Sequence, residues 1–153
     1  MAGVPTGASK RKILIIEDDP DIVRLLSAVL SPLDAELITA ADGLVGVALA
    51  TSEKPQLIIM DINLPRMNGL DAIRTLRGYE ELANVPVIVL TAFPNPENIR
   101  EAVEVGADDF LVKANVVAGE GLERIRQALE SRPTRRRPLL RSTSPFGRPP
   151  SSP

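Results

Sequence analysis

Five short apolar runs recur along the chain, and each is followed by a segment with helical spacing. The runs are KILII at 12–16, ELIT at 36–39, LIIM at 57–60, VIVLT at 87–91 and DFLV at 109–112. Most are continuous rather than alternating. A strand with one solvated face alternates apolar and polar residues, so continuous runs of this length imply burial on both faces, as in a parallel sheet covered by helices on each side. Aromatic residues make up only 3% of the chain, so the filling on both sides has to be aliphatic.

The helical segments carry their own punctuation. The first has Ile22, Val23, Leu25, Leu26, Val29 and Leu30 behind Asp19 as N-cap and Pro20 at the first helical position. The second holds Leu44, Val47 and Ala48 behind Asp42–Gly43, and the third Leu70, Ile73 and Leu76 behind Asn68–Gly69. The fourth runs from about Glu97 through Ile99, Ala102 and Val103 to a glycine stop at Gly106. The fifth has Leu122, Ile125 and Leu129, and Pro133 prevents much continuation. Five strands alternating with five helices is a (βα)5 layout, hence an α/β protein with a parallel five-stranded sheet and right-handed crossovers. The expected organisation is a short disordered N-terminus at 1–10, one domain at 11–131 and a disordered Pro/Ser/Arg-rich tail at 132–153.

Composition excludes several classes of chemistry. Among 153 residues there is no cysteine and no histidine, which removes disulfides, thiolate metal sites and any imidazole base or phosphoryl carrier. No apolar stretch approaches the roughly 20 residues of a membrane span, and the N-terminus lacks a signal-peptide core, so a cytoplasmic protein with no membrane partner is expected. The net charge of −2 hides a split. All 20 acids lie at or before Glu130 with 12 of the 18 Lys and Arg, whereas the tail carries the other six, all Arg, and no acid. The tail is expected to be a solvated basic extension. Nucleic acid is disfavoured as its partner, since only Phe146 offers a stacking ring and no recognition fold accompanies the charge.

In an open parallel sheet, functional groups gather at the carboxyl ends of the strands. The first strand ends in Glu17, Asp18 and Asp19, the third in Asp61, the fourth in Thr91 and the fifth in Lys113. Carboxylates crowded on one rim repel each other and call for a cation. An oxygen-only donor set favours a hard ion, and Mg²⁺ fits best. A carboxylate beside that ion stays nucleophilic toward phosphorus, while a Lys ammonium and a Thr hydroxyl can neutralise and hold the transferring oxygens. Each residue alone also has a plain structural role. On that plainer reading Asp18 and Asp19 would be caps of the first helix, Asp61 a turn acid before Pro65, Thr91 a loop hydroxyl and Lys113 a surface charge. Asp61 is the sharpest of them, because it ends a run that should be buried, where a carboxylate is costly without a partner.

The segments ILIIEDDP at 13–20, ADG at 41–43, LIIMDINLPRMNG at 57–69, VPVIVLTA at 85–92 and GADDFLVK at 106–113 resemble the receiver domain of bacterial two-component response regulators, of the single-domain chemotaxis type. The resemblance implies a flavodoxin-like strand order 2-1-3-4-5 and a switch phosphorylated by a histidine kinase or histidine phosphotransfer protein. It implies Asp61 as phosphoacceptor and Asp18 as a direct Mg²⁺ ligand, with Glu17 acting through a bound water and Asn63 through its backbone carbonyl. Lys113 would pair with Asp61 or its phosphate, Thr91 would swing toward the phosphate, and Phe110 would report that movement to the surface of the fourth helix, fifth strand and fifth helix. That surface leaves homodimerisation open.

Three features depart from the usual family pattern. Ala114 stands where Pro with a cis peptide is common. A cis bond costs about 3–4 kcal/mol before Ala against about 1 or less before Pro, which favours a trans bond and a differently shaped loop without deciding it. Phe110 lacks the hydroxyl of the common Tyr, so a switch there works by packing. Phe93, two residues beyond Thr91, is a candidate shield over an acyl phosphate. Two other readings compete: a pseudo-receiver that binds partners without phosphate, and an aspartate-nucleophile phosphohydrolase. The second is disfavoured by Glu-Asp-Asp-Pro in place of Asp-x-Asp after the first strand.

Overall fold

The computed structural model describes residues 10–116 and 119–130, so the expectations for the two chain ends fall outside the described residues. The strands are β1 (Lys12–Ile16), β2 (Glu36–Ala40), β3 (Leu57–Asp61), β4 (Val87–Thr91) and β5 (Asp109–Val112). The helices are α1 (Pro20–Leu30), α2 (Gly43–Glu53), α3 (Gly69–Arg77), α4 (Pro96–Val105) and α5 (Gly119–Glu130). All strand pairs are parallel, in the order β2-β1-β3-β4-β5. This is the doubly wound order expected. Among the described residues, no helix is long and apolar enough to cross a membrane.

The continuous apolar runs are explained by two cores, one on each face. Side chains along a strand alternate between faces. Leu14, Ile16, Ile58, Met60, Val87 and Val89 therefore pack with Ala50, Ile73, Leu76 and Ala102 from α2, α3 and α4. The intervening Ile13, Ile15, Leu57, Ile59, Ile88 and Leu90 pack with Leu26, Leu30, Ile125 and Leu129 from α1 and α5. Both β3 and β4 are buried at every position, which leaves no solvated face to break the run with a polar residue.

Capping follows the sequence signals. Asp19 accepts from Asp21 N–H to open α1, with Pro20 at its start, and Asp42 and Asn68 cap α2 and α3. The fourth helix begins at Pro96 behind Asn95, one residue before the expected Glu97, and ends at Gly106 with φ +123. The α2 face differs from expectation. Leu44 and Ala48 point outward, and the inward face is Gly43, Gly46, Val47 and Ala50. The reason is proximity, because a Cβ at Gly46 would stand 2.5 Å from Ile16 Cδ1. The helix lies so close to β1 that small residues, not leucine, form its contact.

One buried cation was not foreseen. Arg77, at the end of α3, is 8% exposed and fans its guanidinium across the amino-terminal edge of the sheet. Nη1 donates to the carbonyls of Leu82 (2.9 Å) and Val85 (2.7 Å), and Nη2 to Gly106 O (2.7 Å) and Asp108 Oδ2 (3.0 Å). The same Asp108 oxygen accepts Val87 N–H at 2.9 Å, tying α3, the approach to β4 and the approach to β5 into one network. Arg77→Met keeps the aliphatic stem but strands these acceptors. It is expected to lower the unfolding free energy by about 3 kcal/mol, read from urea denaturation.

Candidate functional site

The parallel sheet delivers every predicted strand end to one edge. Glu17 follows β1 and is 2% exposed, while Asp61 closes β3 at 3%. Asp18 beside them is exposed. One carboxylate oxygen from each of Glu17, Asp18 and Asp61 lies within 4.8 Å of the others. The local backbone holds two of them: Asp19 N–H donates to Glu17 Oε2 at 3.1 Å, and Asn63 N–H donates to Asp61 Oδ1 at 3.1 Å. Behind Asp61, the start of α3 presses on the strand end so closely that a Cβ at Gly69 would meet the Asp61 carbonyl oxygen at 2.6 Å.

Lys113 supplies the counter-charge. Its Nζ donates to Asp61 Oδ2 at 3.0 Å and lies 3.2 Å from Glu17 Oε1. Burial alone would lower the Lys113 ammonium, but the hydrogen bond and charge of Asp61, followed by those of Glu17, outweigh it and hold the group above its ordinary value. Burial raises the Glu17 carboxyl. The charge of Asp61 adds to that, and the Asp19 amide and Lys113 oppose it. Glu17 Oε1 is buried and faces the Lys113 ammonium at 3.2 Å, without a directed hydrogen bond from any described residue. One ammonium therefore serves two buried acids, with a third carboxylate alongside. A buried carboxylate oxygen without a directed hydrogen bond and an all-oxygen donor set fit a hard divalent cation. A shallow cleft of about 410 Å³ opens beside them, lined by Glu17, Asp18, Pro20, Val23 and Arg24.

Lys113 reaches this position through a trans bond to Ala114, since no peptide among the described residues is cis. The chain turns there into a short 3-10 helix, Lys113–Asn115. Thr91 is 4% exposed at the end of β4, and its hydroxyl is engaged by Phe93. It donates to the Phe93 carbonyl at 2.9 Å and accepts from Phe93 N–H at 3.2 Å. The Phe93 ring is 80% exposed, so this residue meets the site through its backbone. Phe110 is half-buried against the core.

Residues 13–128 match the family profile described as the response regulator receiver domain. The chain belongs to the response regulator receiver family. Receiver relatives include the transcriptional regulatory protein PrrA of Mycobacterium tuberculosis, 35% identical over 83% of this chain and 53% of that protein. The chain thus spans about half the length of the known relatives it matches. The receiver domain of the sensor histidine kinase PA1611 from Pseudomonas aeruginosa, solved with magnesium in its active-site cleft, is 31% identical. It has a TM-score of 0.72 over 80% of this chain and all of that one. The chemotaxis response regulator CheY4 of Vibrio cholerae gives a TM-score of 0.71 at 30% identity, over 79% of this chain and 99% of that one.

Two contacts of this receiver domain escaped the sequence reading. Arg124 of α5 stands 5.8 Å from the Phe110 ring centroid, donates to the Phe110 carbonyl at 3.1 Å and pairs with Asp109 at 3.3 Å. Arg66 pairs with Asp42 across two loops. Neither pairing has a signal in local spacing, because the partners are brought together by the crossovers. Removing the shared ammonium in Lys113→Met leaves Glu17 and Asp61 uncompensated. It is expected to destabilise the metal-free protein by about 2 kcal/mol in denaturant titrations, whereas a charge carried on the surface would move the curve little.

Proposed function

We propose that this receiver is a phosphoacceptor switch. It takes a phosphoryl group onto Asp61 from the phosphohistidine of a kinase or phosphotransfer protein, and signals through protein contacts. The observation that carries the reading is the buried Asp61 carboxylate, backed by Lys113 at 3.0 Å and grouped with Glu17 and Asp18. Glu17, Asp18, Asp61 and the Asn63 carbonyl are the residues that would hold Mg²⁺. When bound, the ion supplies charge neutralisation at the transferring oxygens.

The chain's own groups divide the remaining work. An Asp61 oxygen attacks phosphorus in line, the phosphorus–nitrogen bond breaks, and the electron pair leaves with the donor imidazole. The Lys113 ammonium is released from part of its pairing with Asp61 and faces the incoming oxygens. The donor must bring its own imidazole, since this chain has none. Outside its self-modification the chain is not an enzyme on this reading, and it works in the cytoplasm.

Thr91 links the site to the surface. Its single hydroxyl proton is committed to the Phe93 carbonyl, so donating to a phosphoryl oxygen requires that bond to open and the β4–α4 loop to shift. Phe110, held by Arg124, lies beside the α4–β5–α5 face that would carry the message to a target or a second copy. Val103 of α4 is already 56% exposed.

Incubation with acetyl phosphate and Mg²⁺ is expected to add one phosphoryl mass to the intact protein. Asp61→Asn and chelation should each abolish the gain, and a parent protein that stays unmodified defeats the reading. A second expectation concerns lifetime: Phe93→Ser keeps the backbone bonds to Thr91 and should leave decay of the phosphorylated form within about twofold of the parent, because a ring 80% exposed covers no part of the acid cluster. Decay several-fold faster than the parent would show instead that the ring closes over the acyl phosphate.

A further inference from the structure

The seven residues between β3 and α3, 62–68, include Asn63 and therefore one of the oxygens assigned above to magnesium. The base of this loop is closed by Gly69 N–H donating to the Ile62 carbonyl at 2.8 Å. Midway along it, Arg66 adopts a left-handed backbone with φ +68, a region that glycine enters freely and arginine does not. Met67 N–H donates to the Pro65 carbonyl at 2.7 Å and closes the turn across Arg66 locally, and the side chain adds a second tie. Its Nη2 lies 3.1 Å from Asp42 Oδ2.

Asp42 is well placed as the other half of this pair. Its side chain is only 15% exposed, and Oδ1 accepts Val45 N–H at 2.9 Å to cap α2. That bond first, and Arg66 after it, hold the carboxyl below the usual carboxylate range. Next to it, a Cβ at Gly43 would overlap the Met67 carbonyl oxygen, so the start of α2 is pressed directly against the loop. One side chain thus caps a helix and grips the neighbouring loop at the residue whose backbone is least comfortable.

We propose that the Arg66–Asp42 ion pair is a latch that fixes the β3–α3 loop to the start of α2 and so positions the Asn63 carbonyl for the divalent ion. The proposal rests on the magnesium reading of the acidic cluster. Arg66 is a positioning residue and touches neither the ion nor the phosphoryl group. The competing anchor is apolar: Leu64 is 8% exposed and Met67 packs against the same core. If those contacts alone fix the loop, Arg66 is dispensable.

Charge makes the two cases separable by sign. A cation near a metal site repels the ion, so deleting Arg66 without moving the loop should tighten magnesium binding or leave it unchanged. Deleting it and freeing the loop should weaken binding. Calorimetric titration of the full chain with magnesium chloride is the test, with Arg66→Gly as the main variant and Arg66→Asn, also tolerant of the left-handed region, as the second. Both should keep the metal-free thermal midpoint, because the backbone strain is relieved, yet bind magnesium about two- to fivefold more weakly. Arg66→Lys, which keeps charge and reach, should retain parental affinity. Equal or tighter binding in the Gly and Asn variants overturns the latch, as does a loss in Arg66→Lys as large as that in Arg66→Gly. A parent that takes up no magnesium overturns the metal reading and the latch with it.

Discussion

Lys113 Nζ lies between two acids that are themselves almost wholly inside the protein, 3.0 Å from one and 3.2 Å from the other. Water cannot screen these charges well, so each is sensitive to any change in the others. The ammonium is too little for two carboxylates and the exposed Asp18 beside them. That imbalance is maintained by the fold, because the strands that carry Glu17 and Asp61 are adjacent and parallel, with Ile16 paired to Met60. The two main chains must end side by side. On the phosphoacceptor reading proposed above, this unbalanced set is what would make the domain ready for a cation and a phosphoryl group.

The sheet that forces this arrangement was legible because it is buried on both faces. LIIM and VIVL contain no polar residue, since no position in β3 or β4 faces water. Caps were legible for a related reason, as Asp19, Asp42 and Asn68 act on amides two or three residues away. Strand ends follow from strand positions, so Glu17, Asp61, Thr91 and Lys113 were found together at one edge. In α2 the apolar spacing is a poorer guide, since of Leu44, Val47 and Ala48 only Val47 faces inward. There the distance to β1 decides, and Gly46 wins over Leu44 because nothing larger than hydrogen fits against Ile16.

Arginines were the least legible residues, and the cause is reach. A guanidinium sits several bonds from its backbone and meets partners brought near by the whole chain fold. Arg77 gathers Val85 from one connection and Gly106 from another, 29 residues away. Arg124 lies over a ring 14 positions earlier. No periodicity encodes such pairs. Lys113 differs only because its own backbone position, at a strand end, already placed it next to acids.

The consequences of charge at Asp61 depend on which restraints are single and which are doubled. Thr91 is held by two bonds to one residue, Phe93, so a competing acceptor for its proton leaves the amide bond from Phe93 in place and turns the loop about it. Phe110 is held by its packing against the core and by Arg124, which grips both its carbonyl and the neighbouring Asp109. A cation over a ring contributes about 0.5–1 kcal/mol at a partly exposed site, comparable to one surface ion pair. Restraints of that size can be exchanged by a new doubly charged group without unfolding anything. With phenylalanine where a tyrosine hydroxyl is common, a switch at Phe110 as proposed would work through core packing and the Arg124 contact. If Phe110 is the switch residue, as proposed, Arg124 shares that role, since it stands 5.8 Å from the ring centroid and donates to the Phe110 carbonyl.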